Sequence, residues 1–202
     1  MADRRRRGEA DTAARILDVA ERLVQVRGFN GFSYADVAAE LGLTKASLHY
    51  HFAGKAELGE ALIARYAGRF TGALAEIEAR PADARAKLDA YARLYADVMR
   101  GDRMCLCGML AAEYRTLPKP MQEAVIRFFD DNEKWVAGVL EQGREEGALQ
   151  FTGSASEAAR MVVGGLEGAM LVARPYGDLA RFHAAASHLL AGLSTGAREP
   201  GR

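Results

Sequence analysis

Residues Leu41–Lys55 read LGLTKASLHYHFAGK. Gly42 supplies a turn, Thr44 a helix cap, and the short helix that follows mixes hydroxyls, imidazoles and lysines with few apolar anchors. No acidic residue occurs between Glu40 and Glu57, although the chain balances 27 Lys and Arg against 27 Asp and Glu. A surface without carboxylates beside Lys45, His49, His51 and Lys55 suits the approach of a polyanion.

The flanks give this segment its frame. Ser33 reads as an N-cap, with Asp36 three residues on as a capping box. A helix over Tyr34–Leu41 buries Val37, Ala38 and Leu41, and Gly42 takes the left-handed conformation that stops it. Leu43 crosses the turn. Thr44 caps the next helix, with Ser47 three positions later. Leu48 and Phe52 lie four apart and share a face, which anchors this helix. Lys45, Ala46, Ser47, His49 and Tyr50 remain on the outer and N-terminal side. Upstream, a helix from about Thr12 to Arg27 carries Ile16, Val19, Ala20, Leu23 and Val24 on one face, and Gly28 ends it. Two helices joined by a glycine turn, the second polar-faced, make a helix-turn-helix. Its second helix is the one expected to enter the major groove, N-terminus first.

Phe29–Lys55, FNGFSYADVAAELGLTKASLHYHFAGK, resembles the DNA-binding domain of the TetR family of transcriptional regulators. The likeness spans roughly Ala13 to Leu62, and its most specific part is G-L-T-K-A-S-L-x-Y-H-F-x-x-K-x-x-L. The resemblance implies that Ser33 and Tyr34 touch phosphate, as Thr44 does while capping. It implies that Lys45, Ala46 and Ser47 form the base-reading tip and that Tyr50 and His51 lie along the DNA backbone. Lys55 matches a lysine that meets phosphate. His49 stands where many members carry Tyr, and keeps a donor to phosphate with a shorter reach. Read without the resemblance, His49 and His51 are surface histidines. H-x-H alone makes no metal site, because positions i and i+2 diverge on a helix. Arg4–Arg7 is either a solvated terminus or a DNA-contacting arm.

Beyond Lys55 the pattern stays helical. A long helix to about Ala79 carries the stripe Leu58, Leu62, Tyr66, Phe70, Leu74 and Ile77. After Arg80-Pro81, a helix over about Ala82–Met99 carries Leu88, Tyr91, Tyr95 and Val98. In Met104–Tyr114, MCLCGMLAAEY, Glu113 shares a face with Leu106, Met109 and Leu110. It either points out at the helix end or meets something polar inside. Cys105 and Cys107 invite a redox reading, and the resemblance adds that some electrophile-sensing members place a cysteine near this helix start. The spacing disfavours an intrachain disulfide, and buried cysteine is commonly a small hydrophobe. A helix from Pro120 to about Glu146 carries Val125, Phe128, Phe129, Trp135, Val136, Val139 and Leu140. Asn132 falls within that face, as a pocket contact or a satisfied core amide. The last two helices, about Ser156–Arg174 and Asp178–Leu193, part at Pro175-Tyr176-Gly177. Gly164, Gly165 and Gly168 inside the first each cost about 1 kcal/mol relative to Ala. Close helix approach explains them, within one subunit or between two. The resemblance implies that these two helices form the dimer interface as a four-helix bundle.

The expected fold is all-α. A flexible basic arm (1–10) precedes an N-terminal three-helix helix-turn-helix DNA-binding domain (11–54). A larger helical ligand-binding and dimerisation domain (55–193) follows, then a disordered tail (194–202). Half of the 202 residues are hydrophobic, enough for a sizeable core. Neutral net charge disfavours a bulk DNA-coating protein. The basic start runs into Gly8-Glu9-Ala10-Asp11 and not an apolar leader, and no apolar run approaches the ~20 residues of a membrane span. A cytoplasmic location without membrane partners is expected. There is no phosphate loop, metal-ligand cluster or nucleophile with a nearby base, so no cofactor is expected and an enzyme is the remote alternative. The leading expectation is a homodimeric regulator, most often a repressor in this family, that binds a palindromic double-stranded operator and is released by a small-molecule inducer. Candidate inducer contacts are Tyr66, Phe70, Tyr95, Met99, Met109, Glu113, Phe128, Asn132 and Trp135. The alternative sensor is a thiol, Cys105 or Cys107.

Overall fold

The computed structural model describes residues 2–193, all of whose regular elements are helical. Nine α-helices follow one another: α1 (Ala2–Arg27), α2 (Tyr34–Leu41), α3 (Lys45–His51), α4 (Lys55–Glu78), α5 (Ala84–Arg100), α6 (Leu106–Ala112), α7 (Lys119–Glu145), α8 (Ala155–Ala173) and α9 (Leu179–Ala191). Short 3-10 turns at Tyr114–Thr116 and Arg174–Tyr176 join α6 to α7 and α8 to α9. Helix α1 begins ten residues before the Thr12 start that apolar periodicity suggests, so the backbone of the arginine run continues the helix. Ala, Glu and Arg all favour helix there, and periodicity cannot register a turn with no apolar face. The tail expected at Ser194–Arg202 lies outside the described residues.

Packing divides the chain into two units: Met1–Arg69 with Cys105–Ile126, and Phe70–Met104 with Arg127–Arg202. The sequence places the start of the body at residue 55. By packing, the first part of α4 and all of α6 instead stand with the head, because α6 lies against α1.

In the first unit the caps follow from local chemistry. Ser33 is extended (φ −130, ψ 168); its hydroxyl accepts from the Asp36 amide, and the Asp36 carboxylate accepts from the Ser33 amide at 2.7 Å. Gly42 sits at φ 66, a conformation that lets the Leu43 amide reach the Ala38 carbonyl at 2.9 Å and close α2. The Thr44 hydroxyl accepts from the Ser47 amide at 3.2 Å to start α3. Val37, Ala38, Leu48 and Phe52 are buried with Ile16, Ala20 and Val24. Leu41, expected inside, is half-buried. Buried Glu21 of α1 accepts from Arg65 (2.9 Å) and Arg69 of α4, which ties those helices by charge as well as by packing.

In the second unit α8 packs along α9, and α5 lies against both. Gly143 of α7 admits Leu149 and Ala84 to a distance that no Cβ would permit. No helix among the described residues is long and apolar enough to cross a membrane.

Leu48 is wholly buried and is the main anchor of a seven-residue helix. Leu48→Ala is expected to cost about 3 kcal/mol. Chemical denaturation followed by circular dichroism checks this.

Candidate nucleic-acid interface and sensor residues

Helix α3 presents an exposed face. Lys45, Ala46, His49 and Tyr50 are exposed, Ser47 and His51 half-buried, and Tyr50 is 69% exposed despite its size. Lysine, a methyl and a hydroxyl at the start of a helix are the groups that contact phosphate and base edges. Thr44 is exposed as well, beside its capping bond.

Other candidates already have work within the chain. The Tyr34 hydroxyl donates to the Phe52 carbonyl at 3.0 Å, and its ring lies against His49 with centroids 4.8 Å apart. Burial, reinforced by the negative charge of Glu57, pushes the Tyr34 pKa up to about 12. His49 Nδ1 donates to the Ala53 carbonyl at 3.0 Å. Its Nε2 therefore donates to phosphate only when the ring is doubly protonated. The Lys55 ammonium stands 4.7 and 4.3 Å from the ring centroids of Phe29 and Phe32 and donates to the Phe32 carbonyl. Burial lowers its pKa, against the pull of Glu113 and Asp36.

The acid-free character of 41–56 holds along the chain but not in space. Glu9 of α1 accepts from the Tyr50 hydroxyl at 3.3 Å. A phosphate meeting Tyr50 has to displace that carboxylate.

The inducer candidates divide between the units. Glu113 belongs to the first, where its carboxylate accepts from the backbone amides of Phe29 (2.6 Å) and Asn30 (3.2 Å). Gly28, at φ 83, admits it: a Cβ there would lie 2.6 Å from Glu113 Oε1. Asn30 donates to the Thr116 hydroxyl at 2.7 Å, a second tie to the same loop. Tyr66 and Met109 also lie in the first unit. In the second, Phe70, Tyr95 and Trp135 surround Tyr91, with Trp135 stacked on it at 5.6 Å and Phe128 5.3 Å from Phe70. The Tyr91 hydroxyl meets that of Tyr95 at 2.8 Å and donates to Asn132 Oδ1 at 3.3 Å; Asn132 Nδ2 donates to the Phe128 carbonyl at 2.7 Å. Met99 lines a separate cavity with Arg100, Arg103 and Arg174.

Sequence reasoning missed Tyr91 as the hub of the cluster and missed Lys87, buried one turn before it. The signal for Lys87 was its place on an apolar stripe with Ala84, Leu88 and Tyr91. Cys105 and Cys107 are both buried, and Cys105 Sγ caps α6 by accepting from the Gly108 amide at 3.5 Å. No group of three or more His, Cys, Asp or Glu that could hold a metal occurs among the described residues.

The Tyr34 shift carries a pH dependence. The unfolded phenol ionises near pH 10. The folded one does so near 12, so its contribution to stability is complete below pH 10 and is lost between about 10 and 12. Alkaline titration of phenolate absorbance is expected to lose one late-titrating component in Tyr34→Phe.

Residues 16–62 match the family model for bacterial regulatory proteins of the tetR family. Residues 84–189, more than half of the chain, match the tetracyclin repressor-like C-terminal domain. A TetR-family regulator from Agrobacterium tumefaciens superposes with a TM-score of 0.89 at 32% identity, covering 92% of this chain and 99% of that one. The transcriptional repressor NemR of Escherichia coli is 26% identical over 170 residues, 82% of this chain and 85% of NemR. The regulator TtgR of Pseudomonas putida is 41% identical over 61 residues, 30% of this chain, a match that spans only 29% of TtgR. On the two family models and the full-length likeness, this protein belongs to the TetR family of transcriptional regulators, which are DNA-binding proteins and not enzymes.

Proposed function

We propose that the protein is a cytoplasmic repressor that binds a palindromic operator as a homodimer and is released by a small-molecule inducer. The observation that carries the DNA-binding part is helix α3, held from behind by Leu48 and Phe52 while Lys45, Ala46 and Tyr50 face outward. In this reading Lys45, Ala46 and Ser47 meet base edges, and Thr44, Tyr50 and His51 meet phosphate. Ser33 and Tyr34 approach the backbone from the start of α2. His49 and Lys55 serve mainly to position their neighbours, since both already bond carbonyls of the head.

A seven-residue reading helix covers few base pairs, so specificity requires two copies on half-sites about 34 Å apart. Helix α8 supports a dimer. Met161, Leu171 and Val172 are large apolar residues left exposed at helical spacing. Gly164 and Gly168 fall on the same face, and a Cβ at either would meet nothing within the chain. Gly165 differs, since a Cβ there would lie 2.6 Å from Leu189 Cδ2. One glycine thus serves packing against α9, and two leave room for a neighbouring copy.

The inducer in this reading binds the second unit near Tyr91, with Phe70, Tyr95, Phe128, Asn132 and Trp135 as its surroundings. Differential affinity for two states of the dimer then drives release. Thiol sensing by Cys105 or Cys107 is the weaker sensor reading, because both sulfurs are buried and one is engaged as a cap.

Lys45→Ala and Tyr50→Ala are each expected to lose operator binding in a mobility-shift assay while remaining folded dimers. Normal binding by both would remove α3 from the reading role. Val172→Glu is expected to give monomers in analytical ultracentrifugation and to lose operator binding with them. A dimeric Val172→Glu protein would place the interface elsewhere.

A further inference from the structure

We infer that the groove beside Lys87 is built to take the carboxylate of a flat, largely apolar organic acid, with the Lys87 ammonium as its anchor. This rests on the reading of the second unit as a sensor, and names the class of ligand it senses.

Lys87 is only 5% exposed, on a stripe of α5 whose neighbours Ala84, Leu88 and Tyr91 are fully buried. Its ammonium has two partners, Glu78 Oε1 and Gln142 Oε1, the latter at 3.0 Å. The amide of Gln142 is oriented for this role, because its Nε2 donates to Glu146 at 2.7 Å. A buried ammonium must keep an anion beside it, since stranding the charge costs several kcal/mol. Glu78, which supplies that anion, is itself 52% exposed. It gives up little by turning back into water. The cation is therefore fixed and desolvated, while its counter-ion is exchangeable.

The space for an exchanging ligand is present. A cavity of about 480 Å³ is lined by Glu78 and Gln142, the two partners of the Lys87 ammonium, together with Trp135, Gly138 and Val139. Trp135 is half-buried and stacks by one face on Tyr91, so a rigid aromatic plane borders the cavity. A Cβ on Gly138 would meet no atom within 4 Å, which leaves that wall open. The remaining charged residues of the lining, Asp131 and Lys134, offset each other. A ligand carboxylate accepts the Lys87 hydrogen bonds, its apolar body covers Trp135 and Val139, and Glu78 swings out to solvent. No proton or electron moves. Charge-assisted hydrogen bonds supply the selectivity for an acid over a neutral analogue.

The exchange also has a regulatory consequence. Glu78 is the last residue of α4, so losing its ion pair removes one tie between that end of the helix and α5. Helix α4 begins at Lys55 in the first unit, which makes the event at Lys87 one that a single helix can carry toward the head.

The test uses the full-length protein without DNA and its one tryptophan, Trp135, as reporter. Benzoate, phenylacetate and 3-phenylpropionate are titrated, each against its primary amide. At least one acid is expected to change Trp135 emission with an affinity about tenfold above its amide. Lys87→Met should abolish that preference. Glu78→Gln weakens the internal competitor and should tighten the acid several-fold while leaving the amide unchanged, an outcome that a purely structural ion pair does not produce. Equal affinity for acids and amides, no response to any acid, or no tightening in Glu78→Gln overturns the proposal. So does preferential binding of benzyltrimethylammonium, which would give Glu78 and Asp131 the ligand role. Operator binding by the unliganded variants is measured in parallel. Its absence in the parent protein would count against the regulator reading, and leaves the Trp135 titration to judge the carboxylate site.

Discussion

Seven residues cannot hold a helix in water by themselves, and α3 has only seven. Its existence depends on the burial of Leu48 and Phe52 and on its packing against α2. That constraint orders everything around it. The face opposite Leu48 must be outward, so Lys45, Ala46 and Tyr50 are displayed because they cannot be elsewhere. The Gly42 turn and the Thr44 cap fix where the helix starts, and so which residues form its tip. Tyr50, 69% exposed, stands on that outward face.

The loop from Gly28 to Ser33 is the second organising feature, and it is held from two sides. Glu113 takes the amides of Phe29 and Asn30, while Lys55 lies over the rings of Phe29 and Phe32 and takes the carbonyl of Phe32. Two charges on either side of one short loop compensate each other's burial. They also place the α6 end and the start of α2 in one packed unit, although 84 residues separate Glu113 from Phe29. Any movement of α6 has to act on the loop that leads into Ser33 and Tyr34. A carboxylate that sequence reasoning offered to an inducer thus has a structural partner within the head.

The second unit is organised by polar groups set among aromatic rings. Tyr91, Tyr95 and Asn132 satisfy one another in a place from which water is excluded, which specifies how α5 and α7 meet more narrowly than apolar packing would. Lys87, one turn away on the same stripe, extends that polar line toward the surface through Glu78 and Gln142. On α8 the opposite condition holds. Its outer stripe has exposed large apolar residues, Met161, Leu171 and Val172, and two glycines, Gly164 and Gly168, where a Cβ would find open space.

Helix order, most helix ends, the Ser33–Asp36 and Thr44 caps, the Gly42 stop and the outward face of α3 were all legible in the chain. The interactions that create them span three or four residues, so spacing alone expresses them. Helix α1 escaped in part, since its first turns carry no apolar stripe. Partnerships across long separations were not legible: Glu113 with Phe29, Glu9 with Tyr50, Lys87 with Gln142. Each requires knowing which helix faces are brought together, and a charged side chain looks the same in sequence whether it meets water, a backbone amide or a ligand. For that reason the residues on the outward face of α3 could be named from their order, while the contacts that steady that helix and its loop, and the buried cation in the body, were decided only by how the helices pack.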